Sequence, residues 1–182
     1  MRKSVAIGLT VAVGAVAIAL GAYVGLRHYG PDARGEGAAV LVRTELPDLA
    51  GKPTTLAAWQ GKVRVVNFWA TWCTPCRKEI PGLIEVQHKL AANGVQVVGI
   101  AVDQADKVQA YAKEMGIDYP ILVAGMGGAE LSRKVGNRTG ALPFTVVLDR
   151  AGKAVKSHLG LITAEELEKI LVPLLAKAPK SG

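Results

Sequence analysis

Two cysteines and three histidines are all the thiol and imidazole ligands that this 182-residue chain offers. A structural zinc site takes about four such ligands, and His28, His88 and His158 are scattered along the sequence, which argues against a metal-stapled fold. A c-type haem attachment needs a histidine directly after the second cysteine, where Arg77 stands. No cysteine lies near the amino terminus, which removes a lipid-modified cysteine there. The formal charge is +7, yet no basic run is interleaved with aromatics. The excess therefore reads as solvated surface, and nucleic acid is not an expected partner. Internal repeats are absent as well. Charge is missing altogether between Ser4 and Leu26.

That uncharged stretch is mostly Val, Ala, Ile, Leu and Gly, preceded by Arg2 and Lys3. A membrane-spanning helix needs about 20 apolar residues, whereas the apolar core of a cleaved signal peptide is about 7–15. The sequence thus predicts a membrane anchor over residues 1–28, its basic end left in the cytoplasm. Ala17-Ile18-Ala19 has the small-x-small form of a cleavage site, so removal of the segment stands as the alternative. Residues 29–39 read as an aperiodic Gly/Pro/Asp/Arg tether, residues 40–177 as one catalytic-sized domain, and residues 178–182 as a disordered tail. The expected arrangement is single-pass, with the domain on the side of the membrane away from the cytoplasm.

Both cysteines lie in Trp72-Cys73-Thr74-Pro75-Cys76. Before them, Val63-Arg64-Val65-Val66-Asn67-Phe68-Trp69 reads as a strand buried on both faces. After them, Ile80, Leu83, Ile84 and Leu90 recur at helical spacing up to Asn93-Gly94. A Cys-x-x-Cys where a strand becomes a helix implies thiol–disulfide exchange. Free N–H groups at a helix start lower a thiol from a pKa of about 8.5 to about 7 or below. Cys73, nearer the mouth, is the expected nucleophile, and Cys76, one turn in, the resolving thiol. Pro75 suits the first turn, which has no use for its missing N–H. Trp72 has two readings, an exposed flat surface beside Cys73 or a packing residue. A purely structural disulfide closing so short a loop would stabilise little.

Beyond this helix an α/β rhythm continues. Residues 95–102 predict a second buried strand, 104–115 a helix capped by Gly116, and 117–123 a short extended segment. A short helix through Leu131 and Val135 follows the Gly127-Gly128 turn. Residues 144–149 and 153–159 predict an edge hairpin around Ala151-Gly152. Thr163 with Glu166 forms a capping box for a last helix, whose end Pro173 is expected to interrupt. Pro81 is expected to kink the active-site helix.

The run Asn67-Phe68-Trp69-Ala70-Thr71-Trp72-Cys73-Thr74-Pro75-Cys76-Arg77-Lys78-Glu79-Ile80-Pro81 resembles the active-site stretch of membrane-tethered TlpA/ResA-type thioredoxin-like proteins. Leu46 to Lys52, with Leu56 and Gly61-Lys62, resembles their N-terminal hairpin, and Leu142 to Gly152 their proline loop and following hairpin. The resemblance implies an α/β thioredoxin-like fold: a central mixed sheet flanked by helices, with a strand-and-helix insertion within residues 104–123. It implies a cis Pro143 facing Cys73, with the backbone around Leu142, together with Trp72, Thr74 and Pro75, meeting an extended substrate chain. It implies no cofactor beyond the Cys73–Cys76 disulfide. Cytosolic thioredoxins carry a buried Asp where this chain has Asn67, which cannot take a proton. Two carboxylates could substitute. Asp103 is either a base for Cys76 or a cap before Gln104. Glu79, one turn beyond Cys76, reads first as a solvated or ion-paired surface residue and second as a base. Thr74-Pro75 adds no positive charge between the thiols, which points to a moderately reducing pair, although Arg77 and Lys78 could partly compensate by position. The implied partners are protein thiol or disulfide clients, such as apocytochrome c or copper-site cysteines, and an integral-membrane thiol donor. A Cu(I)- or client-binding module and a disulfide-forming oxidase are the alternatives. A peroxide-reducing enzyme on this fold wants Thr where Ala70 stands.

Overall fold

The computed structural model describes residue 14, residues 16–23 and residues 31–176. The chain divides into a unit of residues 1–36 and a unit of residues 37–182. In the first, residues 16–23 are helical and expose Val16, Ile18, Leu20 and Tyr23. Most of the expected anchor, and the tail from residue 178, lie outside the described residues. Among the described residues no helix is long and apolar enough to cross a membrane.

In order the elements are α1 (Pro31–Arg43), β1 (Leu46–Pro47), β2 (Pro53–Thr54), β3 (Val63–Trp69), α2 (Thr74–Leu90), β4 (Val95–Ala101), α3 (Ala105–Met115), β5 (Ile121–Val123), α4 (Gly127–Lys134), β6 (Phe144–Leu148), β7 (Ala154–Leu159) and α5 (Ala164–Ala176). Five strands form one sheet in the order β5-β4-β3-β6-β7. β3, β4 and β5 run parallel, while β6 and β7 run antiparallel to their neighbours. Every residue of β3 and β4 is buried, as continuous apolar strands covered on both faces must be. One face packs Val65, Trp69, Val97 and Val147 against Ile80 and Leu83 of α2, Val108 and Tyr111 of α3 and Leu167 of α5. The other packs Val66, Phe68, Ile100 and Val146 against Ala38 and Leu41 of α1 and Leu131 of α4. Arg64 breaks the apolar run of β3 but is buried with its guanidinium donating to the carbonyls of Leu56 (3.0 Å) and Asp149 (3.3 Å).

The expected insertion is α3 followed by β5, which extends the parallel half of the sheet; an antiparallel bridge between Asp48 and Leu122 ties the β1–β2 hairpin to that edge. Two local expectations are corrected. The stretch 29–39, expected as an aperiodic tether, is helical from Pro31. Its helix is held by tertiary contact: Ala38 and Leu41 are buried, and Gly37 lies so close to α4 that an added Cβ would sit 2.1 Å from the Lys134 carbonyl oxygen. Pro173 does not end α5, which continues to Ala176. The proline lies on the exposed side, and Leu174 and Leu175 beyond it pack against the core. Pro81 lies exposed within α2, which spans Thr74–Leu90. The capping box is present, with Thr163 N–H donating to Glu166 Oε2 at 2.8 Å and Glu166 N–H donating to Thr163 Oγ1 at 3.2 Å.

Candidate active site

β3 delivers the chain to the carboxyl-terminal edge of the parallel strands, and α2 starts there with Cys73 as its N-cap. Cys73 and Cys76 are joined by a disulfide. Cys73 Sγ accepts the Cys76 N–H at 3.3 Å, the contact that would stabilise a Cys73 thiolate after reduction. No acidic residue occupies the first turn to oppose it. Cys73 retains 5% exposure and Cys76 none, so an incoming sulfur reaches Cys73 first. Trp72 stands 67% exposed beside it, which favours the exposed-surface reading, and Thr74 and Pro75 are exposed with it.

The Leu142–Pro143 bond is cis, as the resemblance implies. Leu142 is half-buried, and the Pro143 carbonyl accepts the Gly160 N–H at 2.9 Å. Arg77 packs on α3: its Nε donates to the Tyr111 hydroxyl at 3.2 Å and its guanidinium lies 5.2 Å from that ring's centre.

The two candidate carboxylates have opposite surroundings. Glu79 is not on the surface, as its first reading had it, but only 3% exposed. Residues three apart on a helix have Cβ atoms about 5–6 Å apart, so Glu79 shares with Cys76 the buried face of α2. Its Oε1 accepts from Asn67 Nδ2 at 2.7 Å and its Oε2 from the Ile162 N–H at 3.0 Å. Burial pushes its pKa up to about 7, against the partial relief of those two donors. Asn67, in the place of the thioredoxin Asp, also donates to Thr145 Oγ1 at 3.0 Å. Asp103 instead clamps the loop before Cys73. Its Oδ2 accepts from the Thr71 hydroxyl and N–H, and its Oδ1 from the Gln104 N–H at 2.8 Å. Burial raises its pKa, but the Thr71 and Gln104 hydrogen bonds and the nearby Lys107 charge outweigh it, so Asp103 is held below the usual carboxylate range.

Sequence reasoning passed over the partners that make this environment. Trp69 Nε1 is buried without a hydrogen-bond partner among the described residues, and an added Cβ on Gly99 would lie 2.8 Å from it. The Tyr119 hydroxyl is likewise buried and unpartnered, near enough to Glu79 to feel its charge. The signal available was the glycine inside a strand rich in β-branched residues, which marks a close approach.

A parallel-centred sheet with a Cys-x-x-Cys at a helix start and a cis proline before β6 defines a thioredoxin-like thiol–disulfide oxidoreductase. The Redoxin family profile matches residues 30–171, and the chain belongs to that family. It is 34% identical over 125 residues to the thiol-disulfide oxidoreductase ResA of Bacillus thuringiensis, covering 68% of this chain and 70% of that one. It is 37% identical over 119 residues to the thiol:disulfide interchange protein HelX of Rhodobacter capsulatus, covering 64% and 62%. Among solved structures, a thiol:disulfide interchange protein of Chlorobium tepidum superposes with a TM-score of 0.65 at 33% identity, over 72% of this chain and 92% of that one.

Proposed function

We propose that this oxidoreductase is a membrane-tethered reductase of specific protein disulfides on the periplasmic side of a bacterial inner membrane. Cysteine pairs of apocytochrome c or of copper sites are the client class that the resemblance suggests. The observation that carries the exchange mechanism is the buried Glu79 on the Cys76 face of α2. In the forward direction the Cys73 thiolate attacks a client sulfur, forms a mixed disulfide and expels one client thiolate. Cys76 then gives its proton to the Glu79 carboxylate and attacks Cys73 Sγ as a thiolate. The Cys73–Cys76 disulfide forms, the second client thiolate leaves, and two electrons have passed to the client. A carboxyl with a pKa of about 7 is poised to accept that proton near neutrality. Recharging falls to an integral-membrane thiol donor, since a periplasm has no soluble thiol buffer to rely on. In this proposal residues 1–28 of the present chain serve as the anchor.

The absence of a charge between the thiols, where Thr74 and Pro75 stand, supports a reducing pair. The test is the reduction potential of the full chain, equilibrated against thiol buffers. A value near or below about −220 mV is expected, and one near about −120 mV, where strong periplasmic oxidants lie, would overturn the reductase reading in favour of a disulfide-forming enzyme.

A further inference from the structure

The loop from α4 to β6 carries no charge of catalytic use, yet it contains a fully buried amide. Asn137 is 1% exposed, and all its hydrogen bonds stay within the loop and the end of α4. Its Nδ2 donates to the Ala141 carbonyl at 2.8 Å and to Ser132 Oγ at 3.1 Å. Its Oδ1 accepts from the Gly140 N–H at 3.1 Å and the Thr139 hydroxyl at 3.2 Å. Thr139 Oγ1 in turn accepts the Ala141 N–H at 3.3 Å. Ser132 is itself buried and anchored to the Ala129 carbonyl at 2.8 Å. Thus one side chain fastens the peptide groups around Ala141 to a helix of the core. On the other side, the Pro143 carbonyl is fixed by Gly160. Between these two anchors, neither the N–H nor the carbonyl of Leu142 has a partner among the described residues.

We propose that Asn137 is a positioning residue for protein substrates: by holding Ala141 it fixes the Leu142 peptide, whose N–H and carbonyl are unpaired among the described residues, to pair with an extended client chain. The assignment rests on the reading that clients pair with the Leu142 backbone beside Cys73. It makes Asn137 selective in effect. A client that needs backbone pairing depends on it, whereas a small disulfide that meets only Cys73 does not.

The test compares the full chain, reduced, against two disulfides. One is an extended decapeptide with a central cysteine disulfide-linked to glutathione; the other is hydroxyethyl disulfide. Misplacing a binding group by about 1 Å can cost up to about a hundredfold, so Asn137→Ala is expected to lower kcat/KM for the peptide about tenfold or more, through KM. The hydroxyethyl disulfide rate and the reduction potential are expected to stay within about twofold. Asn137→Asp keeps the acceptor but loses the donation to Ala141, and is expected to fail as Ala does. Thr139→Val removes only the second tie to Ala141 at an exposed residue; it is expected to show a smaller loss of the same selectivity, and it carries the test if the Asn137 variants do not fold. Equal losses for both disulfides, or rescue by Asp, would overturn the assignment. So would variants that keep the wild-type preference for the peptide. A wild type with no such preference would instead overturn the backbone-pairing reading, and the proposal with it.

Discussion

Asp103 and Glu79 are both buried carboxylates tied to the active-site segment, one through Thr71 and one on α2 with Cys76, and the protein treats them in opposite ways. Asp103, where β4 gives way to α3, receives hydrogen bonds from two Thr71 donors and from the Gln104 N–H. That is enough to keep it ionised despite burial. Glu79, at the centre of the α2 face, receives one donor on each oxygen, and desolvation wins. The difference teaches what each can do. An anion whose lone pairs are already committed is a structural clamp, while a carboxyl balanced between its two protonation states can exchange a proton with a neighbouring thiol.

Removing the balanced carboxyl should have the larger effect. A positioned base contributes about 10²–10⁴-fold, so Glu79→Gln is expected to slow closure of the Cys73–Cys76 disulfide by at least about a hundredfold at pH 7. Formation of the mixed disulfide by Cys73 should be nearly unchanged. Quench-and-alkylate kinetics would then show the mixed disulfide accumulating, and the deficit should shrink as pH rises and Cys76 deprotonates unaided. A deficit that does not depend on pH would argue that Glu79 only supports the packing.

The same variant makes a prediction about stability. Glu79 has a folded pKa raised from 4.5 to about 7, so between these values the folded chain holds more protons than the unfolded one. Stability from this group is therefore complete below about pH 4.5 and falls as pH rises through about 7. At about 1.4 kcal/mol per pKa unit, the ceiling on that loss is about 3 kcal/mol. Urea unfolding of the oxidised full chain from pH 4 to pH 8 should show wild type losing ground to Glu79→Gln over this window. Parallel curves would remove the desolvated-carboxyl account. Gln is accommodated if the Asn67 amide turns over, since Oδ1 has no partner in the present arrangement.

Much of the frame was legible in the chain because it depends on continuous local patterns. The apolar run of β3, the helical spacing after Cys76, the Gly94 and Gly116 stops and the Thr163–Glu166 box all appear where sequence places them. What was not legible came from residues distant in sequence. Gly, Pro, Asp and Arg made residues 31–43 a poor helix in isolation, and the buried Ala38 and Leu41 supplied its stability. Glu79 sits three residues from Cys76, spacing that already puts the two on one helix face. Its donors, however, are Asn67 on β3 and the Ile162 N–H before α5, separated from it by 12 and 83 residues. Polar identity alone argued for the surface, and tertiary contact overruled it. Asn137 shows the converse. All its partners are within five residues, yet a Gly-Asn-Arg-Thr-Gly string announces only a turn, not that the amide is its buried centre.

The smallest expected effect falls on the clamp. Asp103→Asn keeps one oxygen acceptor and loses the other along with the charge, so the loop from Ala70 to Cys73 loosens while the thiols and Glu79 keep their places. Hydrogen bonds to a charged group are worth about 1.5–3 kcal/mol each, and with partial replacement by the amide a net loss of about 1 kcal/mol is expected at pH 7. Because the folded pKa of Asp103 is depressed, its contribution is present above the ordinary Asp range and disappears as pH falls through the folded value. Wild type and Asp103→Asn should therefore converge in stability at acid pH, below about 4, and diverge above it, the mirror image of the Glu79→Gln comparison. Disulfide closure measured at pH 7 should stay within about threefold of wild type, since no proton passes through Asp103 and a loosened loop alone costs little beside a lost base. If closure instead falls as far as in Glu79→Gln and recovers at high pH in the same way, the division of labour between the two carboxylates is wrong and Asp103 is part of the proton path.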